Sequence, residues 1–163
     1  RGNGLIVELG AGTGVVTEAL LAQGIAPGRL LVVDRSPAFV RHLRGRFPGI
    51  DVVLGSAAHL SDLSAAAGPV DAIVSSLPLR SMPADEVIAI VGQWRRVLGT
   101  GGRVVQYTYD LRDGGRLAGF GFTVRTVETV WANLPPARVP GFERKGIPLS
   151  GHLPPRRPGL ASF

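Results

Sequence analysis

Near the amino end, Glu8-Leu9-Gly10-Ala11-Gly12-Thr13-Gly14 sets an acidic residue ahead of three alternating glycines. Glycines let the backbone come close to a ligand and turn its N–H groups toward it. A glycine loop leading into a helix is therefore a seat for a nucleotide or another anionic group. A second carboxylate, Asp34, stands twenty residues beyond Gly14. At that distance the next strand of an alternating fold ends, and a carboxylate there accepts hydrogen bonds from ribose hydroxyls. The dinucleotide fingerprint G-x-G-x-x-G is broken, because the third glycine comes one residue early and Val15 stands in its place. The spacing points to an adenosine-containing ligand rather than a dinucleotide. The blander reading makes the glycines a tight turn and Asp34 the cap of a helix starting near Pro37.

Further along, Ser75-Ser76-Leu77-Pro78-Leu79 follows an apolar run and is followed by Arg80. Hydroxyls and backbone carbonyls in such a turn orient a reacting group, and an arginine offers a fork of donors to phosphate. Tyr107 and Tyr109 close another apolar run. Their hydroxyls suit proton transfer through water, and their rings, like that of Trp131, suit a cation at about 0.5 to 2 kcal/mol. Packing in the core or a hairpin is the competing role for all three aromatics.

These residues need elements to position them. Leu5 to Leu9, Leu30 to Val33, Asp51 to Leu54 and Val70 to Val74 are short apolar runs of the kind buried in parallel sheets. Helical spacing occupies Val15 to Ala22, Ala38 to Phe47, His59 to Ala66 and Asp85 to Leu98. Strand and helix alternate, which predicts a doubly wound α/β sheet. A fifth strand is expected over Val104 to Tyr109, then an abbreviated crossover. Two last strands, Phe122 to Trp131 and Arg138 to Arg144, are joined by Asn133, Leu134, Pro135 and Pro136 as an antiparallel hairpin. The expectation is a mostly parallel sheet of about seven strands, with residues 1–145 as one domain and 146–163 as an irregular tail rich in proline, glycine and arginine. The first strand begins almost at residue 1, so a covering amino-terminal helix is expected to be missing from this chain.

With 163 residues and 45% hydrophobic composition, the chain can bury one ordinary core. It has no cysteine, which excludes disulfides, thiolate metal sites and cysteine nucleophiles. His42, His59 and His152 lack the spacing with carboxylates that a metal site requires, so no metal is expected. The net charge of +6 predicts an anionic partner, nucleic acid or an acidic membrane surface. No apolar run approaches the roughly 20 residues of a membrane span, and no signal-peptide pattern is present. Arg95 and Arg96 on a helix, and Arg156 and Arg157 in the tail, could each add about 1 kcal/mol at an anionic lipid surface.

The acidic residue before G-x-G-x-G, together with the strand order, resembles class I S-adenosylmethionine-dependent methyltransferases. That resemblance implies S-adenosylmethionine as the cofactor. Glu8, Gly10, Gly12, Thr13, Gly14 and Thr17 would lie about its methionine portion, Asp34 would hold the ribose, and Arg35 and Ser36 would lie beside the adenine. Gly55, Ser56 and Ala57 match the turn where relatives often place an acidic residue against the adenine amine, and Ser56 departs from that pattern. Ser75 and Leu77 complete the cofactor set. Over residues 7–144 the chain is similar to bacterial phospholipid N-methyltransferases, through VELGAGTGVVTEALL, SSLPLRSMP, GGRVVQYTY and VWANLPPARV. That likeness implies stepwise methylation of phosphatidylethanolamine toward phosphatidylcholine. The acceptor would sit among Tyr107, Tyr109, Ser75 and Ser76, with Arg80, Leu77 and Trp131 on the lipid. It also implies a monomer when free in solution, in the cytoplasm and peripheral to the inner membrane surface, with no nucleic acid partner. An RNA adenine N-methyltransferase is the alternative, but it calls for an aromatic where Leu79 stands and so lacks a stacking contact worth roughly 1 to 3 kcal/mol. A non-catalytic lipid or cofactor-binding module is the third reading.

Overall fold

The computed structural model describes residues 3–107, 121–130 and 137–144. Tyr109, Trp131, the turn at 133–136 and the tail at 146–163 lie outside them. The strands are β1 Leu5–Leu9, β2 Leu30–Asp34, β3 Asp51–Leu54, β4 Val70–Ser75, β5 Leu98–Gln106, β6 Phe122–Val130 and β7 Ala137–Arg144. The helices are α1 Val15–Ala22, α2 Pro37–Arg46, α3 Leu60–Ser64 and α4 Ala84–Val97. All seven strands form one sheet in the order β3-β2-β1-β4-β5-β7-β6. β1 to β5 are parallel and β7 runs antiparallel to both its neighbours. The α/β sheet with a closing hairpin predicted from the pattern is the observed fold.

The strand order reverses between β1 and β4, where crossovers leave for opposite sides of the sheet and open a crevice at the carboxyl ends. The strands are apolar on both sides because both sides are covered. Val7, Leu9, Leu31, Val33, Ile73 and Val104 pack with Ile90, Val91 and Trp94 of α4. Leu30, Val32 and Val52 pack with Val40 and Leu43 of α2. Burying a side chain such as Leu43, fully excluded from water, is worth about 2 kcal/mol.

Two elements differ from their predicted bounds. β5 starts at Leu98, straight from the end of α4. Val70 pairs with Leu98 but Ala72 with Arg103, so the chain bulges around Gly101. Gly101 takes a φ of +80°, and a Cβ on Gly102 would lie 2.9 Å from the Leu98 side chain. The strand, expected from Val104, thus begins before these glycines, which permit a bulge inside it. The stretch expected as one helix over 59–66 is a 3-10 turn at Ala57–His59 followed by the short α3. Ser56 caps that turn by accepting from the Ala58 N–H at 3.2 Å.

Candidate functional site

A cleft of about 240 Å³ opens at the carboxyl ends of β1 to β4, between the glycine loop and the start of α4. Gly10, Gly12 and Gly14 all have positive φ, 73°, 56° and 86°. They do different work. A Cβ on Gly10 would lie 2.9 Å from Leu77, and one on Gly14 would lie 2.6 Å from Phe47 and 2.8 Å from Leu43. Around Gly12 such an atom would meet nothing within 4 Å. Gly10 therefore lets the β4 turn close in, Gly14 lets α1 settle against α2, and Gly12 keeps a cradle open on the cleft.

Asp34 ends β2 and is buried at 6% exposure. Its two oxygens accept from the Gly12 N–H at 3.0 Å and the Ser36 N–H at 2.8 Å. The carboxylate thus braces the loop while lining the cleft, and each oxygen keeps a further lone pair for a ligand hydroxyl. Capping of α2 falls to Ser36, which accepts from the Phe39 N–H at 3.4 Å, so Asp34 is not the helix cap. Arg35 reaches Glu86 of α4 at 3.7 Å, setting a charged pair beside the cleft.

Glu8 lies beneath the loop with no exposed surface. One carboxylate oxygen accepts from the Thr17 hydroxyl at 2.7 Å; the other, Oε1, has no partner among the described residues. Burial penalises the charged form and pushes its pKa from 4.5 up to about 7, with nearby Asp34 adding to the rise against the Thr17 hydrogen bonds. A buried carboxylate with one free oxygen favours a cation beside it.

The β4 turn forms another side of the cleft. Ser76, Leu77 and Pro78 line it, whereas Ser75 is fully buried in the sheet and accepts weakly from the Leu77 N–H at 3.4 Å. Gln106, paired with Ser75 at the end of β5, sends its amide nitrogen to the carbonyls of Leu77 at 3.0 Å and Tyr107 at 2.9 Å. Tyr107 is half-buried, with its N–H donating to Ser75 at 2.7 Å. Leu79 packs against the α4-side core.

Of the residues singled out by sequence, the fold brings Gly10, Gly12, Asp34, Arg35, Ser36, Gly55, Ser56, Ala57, Ser76 and Leu77 around one cleft. Glu8 and Thr17 form a pair behind it, while the Thr13 carbonyl accepts from Arg46 at 2.8 Å and Gly14 faces α2. Arg80 is exposed just beyond the turn. Sequence reasoning missed Phe39, Met82, Glu86 and Ile90 in the cleft lining, and Gln106 behind the turn. Glu86 and Ile90 stand four residues apart on α4, a spacing that puts them on one side of the helix and could have found them, and Met82 lies just before that helix. Gln106 carried no signal, since a lone glutamine in an apolar strand has no motif.

Among the described residues no three His, Cys, Asp or Glu cluster to hold a metal ion, and no helix is long and apolar enough to cross a membrane. Residues 6–102 match the methyltransferase domain family. The chain is 34% identical over 109 residues to an ornithine lipid N-methyltransferase of Singulisphaera acidiphila, covering 64% of this chain and 57% of that protein's length. Among solved structures, the N-methyltransferase NodS of Bradyrhizobium japonicum superposes with a TM-score of 0.68 at 17% identity, covering 88% of this chain and 86% of that one. The 1,6-didemethyltoxoflavin-N1-methyltransferase of Burkholderia thailandensis, crystallised with S-adenosylhomocysteine, gives 0.66 at 18% identity, over 87% and 71%. This chain belongs to the methyltransferase domain family and has the fold of the S-adenosylmethionine-dependent enzymes.

Proposed function

We propose that the protein methylates the amine of a membrane lipid, with phosphatidylethanolamine as the expected acceptor and S-adenosylmethionine as the donor. The cleft fits the donor on three observations: the open space over Gly12, the buried Asp34 at the ribose position, and the unpartnered Glu8 oxygen for a cation. Ser56, Ala57 and Ile90 offer one hydroxyl and two apolar surfaces to the adenine. When bound, S-adenosylmethionine supplies a methyl group on a positively charged sulfur, which an amine lone pair takes as the carbon–sulfur bond breaks with its electrons left on sulfur. The chain's own work is alignment, exclusion of water and removal of the amine's proton. That proton passes to water, with Tyr107, just past β5, as the proposed relay.

The likeness to an ornithine lipid N-methyltransferase, 34% identical over 109 residues, carries the lipid-amine reading. The turn supports it from the chemical side. Leu77, Pro78 and Met82 give the turn an apolar rim, and with Leu79 beside them the turn itself offers no ring for a nucleobase to stack upon. The test is incubation of the full-length protein with labelled donor and, separately, vesicles of phosphatidylethanolamine, vesicles of ornithine lipid, and ribosomal RNA. Label in phosphatidylethanolamine is the expected result. Label in ornithine lipid alone moves the acceptor to another amino lipid, and label in RNA alone overturns the reading.

A further inference from the structure

Two polar atoms at the carboxyl ends of β4 and β5 are buried without partners among the described residues: the Ser76 Oγ and the Gln106 Oε1. An orphaned buried acceptor is costly in a folded protein and calls for an explanation. The orientation of the Gln106 amide is fixed by its surroundings. Its nitrogen faces two carbonyl oxygens, those of Leu77 and Tyr107, which only an NH₂ group can satisfy. The amide oxygen is thereby left as an acceptor with nothing to accept, in a residue 7% exposed. Ser76 lines the cleft, and Gln106, at the end of β5, pairs with Ser75 and holds the carbonyl of Leu77, so the two orphans flank the same short turn.

We infer that Ser76 and Gln106 form the seat of the acceptor amine, the hydroxyl and amide oxygens each accepting one N–H. The inference rests on the lipid-amine reading above and names the groups that recognise the nitrogen. A neutral primary amine has two N–H bonds and one lone pair. Two acceptors that take up both N–H bonds leave only the lone pair to point away from the turn, toward the open side of the cleft. The demand on the seat falls with each methylation: a primary amine fills both acceptors, a monomethylated amine one, and a neutral dimethylated amine none. Both atoms therefore favour the first methyl transfer over the third.

The experiment compares kcat/KM of the full-length protein and of Gln106→Met and Ser76→Ala, each on vesicles carrying the unmethylated, monomethylated or dimethylated ethanolamine lipid. Loss of one hydrogen bond is expected to lower kcat/KM about tenfold on the unmethylated lipid. The loss should be smaller on the monomethylated lipid and within about twofold of the unaltered protein on the dimethylated one. Calorimetric affinity for S-adenosylhomocysteine should stay within about twofold in both variants, since neither atom is assigned to the donor. An equal loss on all three lipids would make Gln106 a strut for the turn and overturn the inference. If Gln106→Met does not fold, Ser76→Ala decides by the same gradient. No turnover of any of the three by the unaltered protein overturns the phosphatidylethanolamine assignment, and no turnover of ornithine lipid vesicles beside them overturns the lipid-amine reading itself.

Discussion

Asp34 and Glu8 are both buried acids, but their partners differ. Asp34 accepts two backbone N–H bonds, so its charge is shared with the loop it holds. Asp34→Ala should weaken donor binding at least about 100-fold in calorimetry, because the ribose acceptor and the brace of Gly12 go together. Unchanged affinity would place the donor elsewhere. Glu8 has one hydrogen bond and a pKa near 7. Its folded-state pKa lies above the unfolded value of 4.5, so the folded chain binds the proton more tightly. The associated stability is fully present below pH 4.5 and is lost as pH rises through 7. That difference amounts to about 3 kcal/mol. Glu8→Gln should remove most of this slope in urea unfolding between pH 5 and 8, and gain stability at pH 8. The same substitution should weaken donor binding, because a neutral amide no longer offsets a cation. In the unaltered protein, donor affinity should rise from pH 6 to 8 as Glu8 ionises, with proton release seen as a dependence of binding heat on the buffer. The presence of both acids was legible from their spacing to the glycines; the loss of water from one and its orphaned oxygen were not, since both depend on α1 lying over β1.

At the scale of elements, three glycines in one loop look alike in sequence and serve three contacts in space. Gly14→Ala should mainly destabilise, since a φ of +86° costs an alanine about 1 kcal/mol and its methyl would press on Phe47 and Leu43. Thermal unfolding should show a fall of several degrees with little change in donor affinity of the folded fraction. Gly12→Ala has the same backbone strain but meets no neighbour, so its larger effect should be on donor binding, where the methyl occupies the open cradle. Equal effects of the two on binding would deny the division of labour. The alternation of apolar runs located β1 to β4 within a residue of their observed ends, because strands covered on both faces are mostly apolar, Glu8 and Asp71 being the polar residues inside them. β5 was misplaced at its start, because a glycine run signals a turn and a bulge equally well and only pairing with β4 distinguishes them.

For the whole molecule, the net charge of +6 should bring the protein to anionic vesicles and release it as salt rises. Cosedimentation with vesicles at about 50 and 500 mM salt checks this; retention at high salt would mean that apolar insertion dominates. Sequence by itself determined the α/β class, the glycine loop, its acidic partners and the β4 turn, because these rest on local spacing and on hydrophobic period. Tertiary structure decided what no local pattern holds. The crossing of α4 over the sheet brings Glu86 and Ile90, with Met82 just before the helix, to a loop more than sixty residues earlier in the chain. The pairing of β4 with β5 sets Gln106 beside Ser75, with its amide on the Leu77 carbonyl. A cleft at a switch point is made by strand order, and strand order is fixed by which apolar faces bury one another across the chain, a choice that neighbouring residues cannot record.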